Sequence, residues 1–397
     1  MKAFMNEYNT ENLQAEIKEL RSDNGYLYAG LPKFKALFGR DSIISSLQLF
    51  SYDPGIAVST IRALAALQGK KIEKSRGEFP GKIIHEYYDS EPAFLQRKKA
   101  IPWLTRDPSY FSVDSTPLFL ILLAKVIPGC DPKEKGEFIR SYVSAIKFII
   151  DYGISDTFLG YEKAVIGGGI QSQSWRDGIG DILDRLKSPV YTIGVQGYVY
   201  EALSEAESIL RNSTDYIDEE LIQRVREASF RIRENIVENF WIEDSSYFAL
   251  ATDGDGVAER SITSDPGHLL LSGILSRKYE EAVVERLFET DMITDFGIRS
   301  LSTLNQGFDE KAYQRGSIWP QDNWLIAMGL KERGYSARYK DLRGRLLYAY
   351  EKLGKMPEYF GVKKNGAIME MSELRIRPCS PQAWSTGAIL SLIENTG

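Results

Sequence analysis

The sequence predicts an all-α fold, an (α/α)6 barrel. Apolar residues recur at helical spacing through about twelve segments. The connections between those segments alternate long and short, and the tryptophans gather at the long ones. The spacing predicts helices over roughly 10–20, 41–51, 54–67, 115–127, 133–152, 194–211, 218–240, 264–275, 278–290, 320–333, 336–354 and 381–394. Ile56, Ile61, Leu64 and Leu67 follow the start signal Asp53-Pro54. The same period links Phe138, Tyr142, Ile146 and Ile149, then Tyr198, Ala202, Ala206 and Ile209. Tight punctuation sits at Ser51 to Asp53, Pro128 to Pro132, Asn212 to Ile217, Ser276-Arg277 and Gly334-Tyr335. Long connections cover roughly 21–40, 68–114, 153–193, 241–263, 291–319 and 355–380. Short connections force antiparallel neighbours, so six pairs closing into a ring send every long connection to one rim. Trp103, Trp175, Trp241 and Trp319 lie in or beside long connections, and Trp324 and Trp384 in the first turns that follow them. A flat, hydroxylated ligand is expected to stack on these rings at that rim.

Composition narrows the chemistry. The chain has 397 residues with 43% apolar content and a formal charge of -6. An acidic chain with scattered charge argues against nucleic acid as a partner. No apolar run reaches the roughly 18–20 residues that span a bilayer, so no membrane is expected. Without an apolar stretch at the start and with only Cys130 and Cys379, the cytoplasm is the expected location. Two cysteines and two histidines, His85 and His268, make a metal site improbable. Acid–base work then falls to carboxylates. No fixed-period repeat and no linker-like break is visible, so residues 1–397 are read as a single catalytic domain.

Several short segments could carry chemistry. In Gly39-Arg40-Asp41-Ser42, Asp41 can cap a helix, or Arg40 and Asp41 can clamp sugar hydroxyls. The densest stretch, 167–178, ends Trp175-Arg176-Asp177-Gly178. A ring beside a carboxyl desolvates it, raises its pKa and suits it to donate a proton. Its glycines lack the lysine of a phosphate loop. Glu358 sits between Pro357 and the Tyr359-Phe360 pair, a stiff setting for a carboxylate. Asp322, after Trp319, can favour a helix dipole. Asp253-Gly254-Asp255-Gly256 lacks the later ligands of a calcium loop and reads as a turn.

These segments together resemble the glucosidase domain of the amylo-α-1,6-glucosidase (glycogen debranching) family and its relatives among (α/α)6 glycoside hydrolases. The matching stretches are GLPKFKALFGRDSIISSLQ at 30–48, GKIIHE at 81–86, YFSVDSTPLFL at 110–120, QSWRDG at 173–178 and VQGYVYEAL at 195–203. TSDPGHLLLSGI at 263–274, RGSIWPQDN at 315–323, PEYFG at 357–361 and PCSPQAWS at 378–385 follow in family order. The resemblance implies inverting hydrolysis of an α-glucosidic bond, with Asp177 as acid and Glu358 as base. It implies that Arg40 and Asp41 hold the terminal glucosyl unit. His85, Glu86, Trp175, Gln196, Trp319, Gln382 and Trp384 fall near the pocket. The implied partner is a carbohydrate, an α-glucoside or oligosaccharide, and no metal or organic cofactor is implied. Relatives often carry His-Asn where this chain has Gln314-Arg315, and Ser where it has Gly178. The barrel begins almost at the first residue, so a short oligosaccharide or small glucoside is the expected substrate. Two other readings compete: a non-catalytic carbohydrate-binding protein of the same fold, and a sugar epimerase, which would lean on His85 and His268.

Overall fold

Two kinds of helix alternate along the chain, and burial tells them apart. The computed structural model describes residues 10–105, 107–165, 167–178, 180–212 and 218–395. Among them the helices in chain order are α1 (Glu11–Leu20), α2 (Gly39–Gln48), α3 (Pro54–Ala66), α4 (Glu91–Ala100), α5 (Ser115–Val126), α6 (Pro132–Phe148), α7 (Ile193–Arg211), α8 (Glu219–Phe240), α9 (Leu269–Ser272), α10 (Arg277–Leu287), α11 (Pro320–Glu332), α12 (Ser336–Leu353) and α13 (Ala383–Glu394). In α5 every residue but Ala124 and Lys125 is buried, and in α13 every residue but Ile393 and Glu394. A helix apolar all round belongs inside. In α8, by contrast, Leu221, Ile222, Val225, Ala228, Ile232, Ile236 and Phe240 form one buried stripe on an otherwise polar helix. Each large side chain on such a stripe contributes about 1.5–3 kcal/mol relative to exposure.

The inner helices are α2, α5, α7, α9, α11 and α13. Each packs against the next, and α13 packs against α2, which closes the ring. Each inner helix follows a long connection, and each but α13 leads by a short one to an outer helix; α13 packs instead against α1 from the start of the chain. The connection between α7 and α8 lies mostly outside the described residues. The first turns of the inner helices therefore converge on one rim, as contacts between them show: Arg40 of α2 reaches Asp114 beside α5, and Gln382 beside α13 reaches Asp41 of α2. This is the (α/α)6 arrangement.

The expected helices are present with shifted ends. The segment expected at 264–275 is a 3-10 turn, Asp265–His268, followed by the short α9. The helix expected to end at 152 stops at Phe148 and finishes in a π turn, Ile149–Gly153. Helix α4 stands inside a stretch expected to be a connection. Only Phe94 of it is buried, so it lacks an apolar stripe, but Glu91 in its first turn and Arg97, Lys98 and Lys99 in its last suit the helix dipole. Short antiparallel ribbons also lie in the long connections. Phe38 pairs with Glu86, and 190–192, 251–253 and 258–259 form a three-stranded sheet. Segments that cross the buried rim need partners for their backbone groups, and these ribbons supply them. Among the described residues no helix is long and apolar enough to cross a membrane.

Candidate active site

The first turn of α2 places Arg40 at the rim. Its guanidinium is buried and forks between two acids. Nη1 donates to both oxygens of Asp114, at 3.1 and 2.9 Å, and Nη2 donates to Asp177 Oδ2 at 2.8 Å. Asp114 also accepts from Ser112 Oγ at 2.7 Å. Asp177 keeps one oxygen, Oδ1, without a protein partner among the described residues, and its side chain is 25% accessible. Burial raises the Asp177 pKa, Arg40 works against that rise, and Asp114 adds to it.

The loop carrying Asp177 is fixed on both sides of it. Asp265 accepts from Trp175 Nε1 and from Arg176 Nε, each at 2.7 Å. Arg176, fully buried, also donates from Nη1 to Gln314 O at 2.9 Å. Gln314 Nε2 donates to Trp175 O at 2.5 Å, and Gln314 Oε1 accepts from Gly178 N at 2.9 Å. The two departures from the family pattern, Gly178 and Gln314, thus touch. A Cβ at 178 would stand 2.8 Å from Gln314 Oε1 and 2.9 Å from the Tyr313 ring.

Glu358 is held differently. Tyr313 donates its hydroxyl to Oε1, and Cys379 N donates to Oε2 at 3.0 Å. Glu358 N returns a bond to Cys379 O at 2.9 Å. The residue is 2% exposed. Burial raises its pKa, and the two donors oppose the rise by favouring the ionised form. Asp41, buried and bonded to Gln382 Nε2 at 3.3 Å, has its pKa pushed up to about 8 by burial, against the pull of Arg40 and with the help of Asp177 and Glu358. Asp41, Asp177 and Glu358 therefore share one electrostatic centre, although 358 and 177 lie far apart in sequence. Among the described residues no group of three or more His, Cys, Asp and Glu side chains is arranged to hold a metal ion.

The rings form a wall beside these acids. Trp319 lies edge-on to Trp175, Tyr313 and Trp384 at 5.7, 4.8 and 6.0 Å and stacks on Tyr359 at 5.2 Å. It is 1% exposed, so the expectation that it offers a face to a ligand is corrected: the surrounding rings cover it. Trp175 and Trp384 are buried in the same cluster. Trp241 packs on Phe248 and Tyr279, away from these acids, and Trp324 donates to Ser391 between α11 and α13. The tryptophans do not form one open stacking ring.

Gln196 is also corrected. Its amide accepts from Leu159 N and donates to Leu159 O and Thr192 O, and it is fully buried, so it fastens the 159 segment to α7. His85 is buried against Phe38, and burial lowers its pKa well below the usual value. Glu86, buried, accepts from Tyr88 and lies 3.9 Å from Arg97 Nε. His268 bonds Tyr198 through Nδ1 and Asp322 through Nε2, at 2.8 and 2.7 Å, so it is locked in the barrel wall. Both cysteines are free.

Asp114, Tyr313, Gln314 and Asp265 were not singled out from sequence as site residues. Asp114 precedes a Ser-Thr helix start and looks like a cap. Gln314 stood out only as a departure from a pattern.

Residues 171–368 match the family described as mannosylglycerate hydrolase MGH1-like glycoside hydrolase domain. The chain carries a glycoside hydrolase domain. Asp177 and Glu358 both fall in the matched stretch. Solved structures of similar fold include a GH63 mannosylglycerate hydrolase from Thermus thermophilus in complex with glucose, at 14% identity and TM-score 0.67 over 96% of this chain and 98% of that one. The same protein in complex with Tris and D-glycerate gives 13% identity and TM-score 0.65 over 96% and 99%. A wild-type glycosidase gives 12% and 0.65 over 96% and 94%. No curated protein matches the sequence. The match is to an MGH1-like glycoside hydrolase domain, and the fold shared with the solved structures is (α/α)6.

Proposed function

We propose that the protein is an inverting glycosidase that releases glucose from an α-glucosidic bond, with Asp177 as general acid and Glu358 as general base. The contrast between the two carboxyls supports this reading. Asp177 has one oxygen bound to Arg40 and one free at an accessible face, the state of a group that can hold and give a proton. Glu358 accepts a hydrogen bond on each oxygen, which suits a carboxylate. In the reaction Asp177 protonates the glycosidic oxygen as the bond to the anomeric carbon breaks. A water oriented by Glu358 attacks from the opposite face and gives its proton to that carboxylate. Inversion needs the two carboxyls about 6.5–9.5 Å apart with a water between. Arg40 and Asp41 hold the terminal sugar. Gln382, donating from Nε2, braces Asp41 for that role. Neither metal nor organic cofactor takes part.

A second reading concerns the leaving group. Arg97, on α4, lies over the Phe34 ring at 4.9 Å, is partly accessible and acts on the charge of Asp177. Its Nε makes no hydrogen bond among the described residues, with Glu86 as its ion-pair neighbour at 3.9 Å. A cation at this place favours an acidic aglycone such as glycerate over a neutral sugar.

The test is hydrolysis of maltose, isomaltose, trehalose, panose and α-glucosyl- and α-mannosyl-glycerate, with the product anomer read by NMR. The β-anomer from an α-substrate is expected, and Asp177→Asn and Glu358→Gln should each lower kcat by about 10²–10⁴-fold while remaining folded. Retention of configuration, or wild-type rates in both variants, overturns the assignment. Arg97→Met should raise KM for the glycerates alone.

A further inference from the structure

Away from the acids, the segment after α3 and the end of α6 enclose a cavity of about 370 Å3, lined by Phe79, Lys82, Phe111, Val113, Phe148 and Tyr161. The segment is pressed hard onto α6. Gly81 has φ +84°, and a Cβ there would stand 2.0 Å from Ser144 O, so no other residue fits. That contact fixes the next residue, Lys82, with its ammonium between two rings, 5.8 Å from Phe79 and 5.7 Å from Phe148.

Lys82 is 7% exposed, and no carboxylate, carbonyl or hydroxyl among the described residues accepts a hydrogen bond from it. Lys163, on the same cavity, differs: its ammonium donates to Leu183 O and Asp184 O at 3.0 and 2.8 Å. Lys74, Glu162 and Lys163 border the cavity and His85 lies beyond it, yet no charge offsets the burial of Lys82, whose pKa falls to about 7. An unpaired buried ammonium is costly, and a bound anion is the partner that would relieve the cost. Beside Lys82 the wall carries the rings of Phe79, Phe111 and Phe148, and its ammonium, left without an acceptor there, balances one negative charge.

We propose that this cavity is a second ligand site that takes a small monocarboxylate with an apolar body. The carboxylate pairs with Lys82 and the body lies against Phe79, Phe111 and Phe148. A volume of this size is in the range of small-molecule sites. One wall is the Val113–Gln173 pairing, Val113 N to Gln173 O at 2.9 Å, which runs directly into Asp114 and the Asp177 loop.

The probe is phenylacetate, with its neutral isostere phenylacetamide as control, titrated calorimetrically into the full chain. Phenylacetate should bind at least about tenfold more tightly than phenylacetamide at pH 6. Its affinity should fall as pH rises beyond 7, because the ammonium is lost. Near pH 8 binding should draw a proton from the buffer, since the bound anion holds Lys82 charged. Lys82→Met should remove the preference for the acid and raise Tm. Glu358→Gln should leave binding unchanged, which separates this site from the catalytic centre whether or not the glycosidase reading holds. Equal affinity for the two probes, no binding of phenylacetate, or a preference that survives Lys82→Met overturns the proposal. If Lys82→Met does not fold, Lys82→Gln and the comparison of the two probes on the unaltered protein decide it.

Discussion

Outer and inner helices begin in different ways. Three outer helices, α3, α6 and α8, follow Asp53, Asp131 and Asp218, and each carboxylate caps its own helix. Asp53 accepts from Gly55 N at 2.9 Å, Asp131 from Lys133 N and Glu134 N at 3.0 and 3.1 Å, and Asp218 from Leu221 N at 3.0 Å. Inner helices α5 and α13 follow Asp114 and Gln382, which have comparable polar reach. Neither caps its helix. Asp114 binds Arg40, and Gln382 binds Asp41. The same kind of residue at the same position in a helix therefore stabilises the fold on the outside and builds the site on the inside. Substitutions at the inner starts should cost turnover, and those at the outer starts should cost stability.

The largest effect expected from testing that contrast is at Asp114. Asp114→Asn removes the carboxylate that shares Arg40 with Asp177, and kcat should fall by about 10²-fold. The Asp114 charge raises the Asp177 pKa, so its loss lowers it. The acid then loses its proton sooner, and the alkaline limb of the pH–rate profile should move to lower pH. Gln314→Ala frees Trp175 O and Gly178 N on either side of the acid, and a fall in kcat of about tenfold with KM nearly unchanged is expected. Unchanged kcat would show that Asp265 alone fixes the loop. Tyr313→Phe removes a donor that favours ionised Glu358, so that pKa rises and the acid limb should move to higher pH. The smallest effect is at an outer start. Asp131→Ala should cost about 1 kcal/mol in denaturant unfolding and leave kcat intact. If Asp131→Ala lowered kcat and Asp114→Asn lowered only stability, the contrast between the two rings would be broken.

Much of this was legible in the sequence, and the losses have physical causes. Helical spacing located outer helices such as α8, whose single buried stripe leaves a periodic mark, and an unbroken apolar run located an inner one such as α5. Helix α4 left none, since only Phe94 is buried, and its charge order was the readable signal. The motifs around Asp177 and Glu358 drew attention to two acids that the fold brings to one centre. Gln196 was misleading: a polar residue in a first turn at the rim can face the pocket or the backbone, and the position of Leu159, not its own segment, decides. The tryptophans misled similarly, because ring count says nothing of whether a face is already covered. Asp114 drew no notice, because spacing cannot tell whether a carboxylate before a helix caps it or reaches a distant donor such as Arg40.

The contact between Gly178 and Gln314 couples two positions that lie far apart in sequence. A lineage that gained a side chain at 178 while keeping Gln314 would push against the Tyr313 ring, and through it against Glu358. Growth at residue 178 requires both residue 314 and the Tyr313 ring to give way. The two sites should covary among descendants of this sequence.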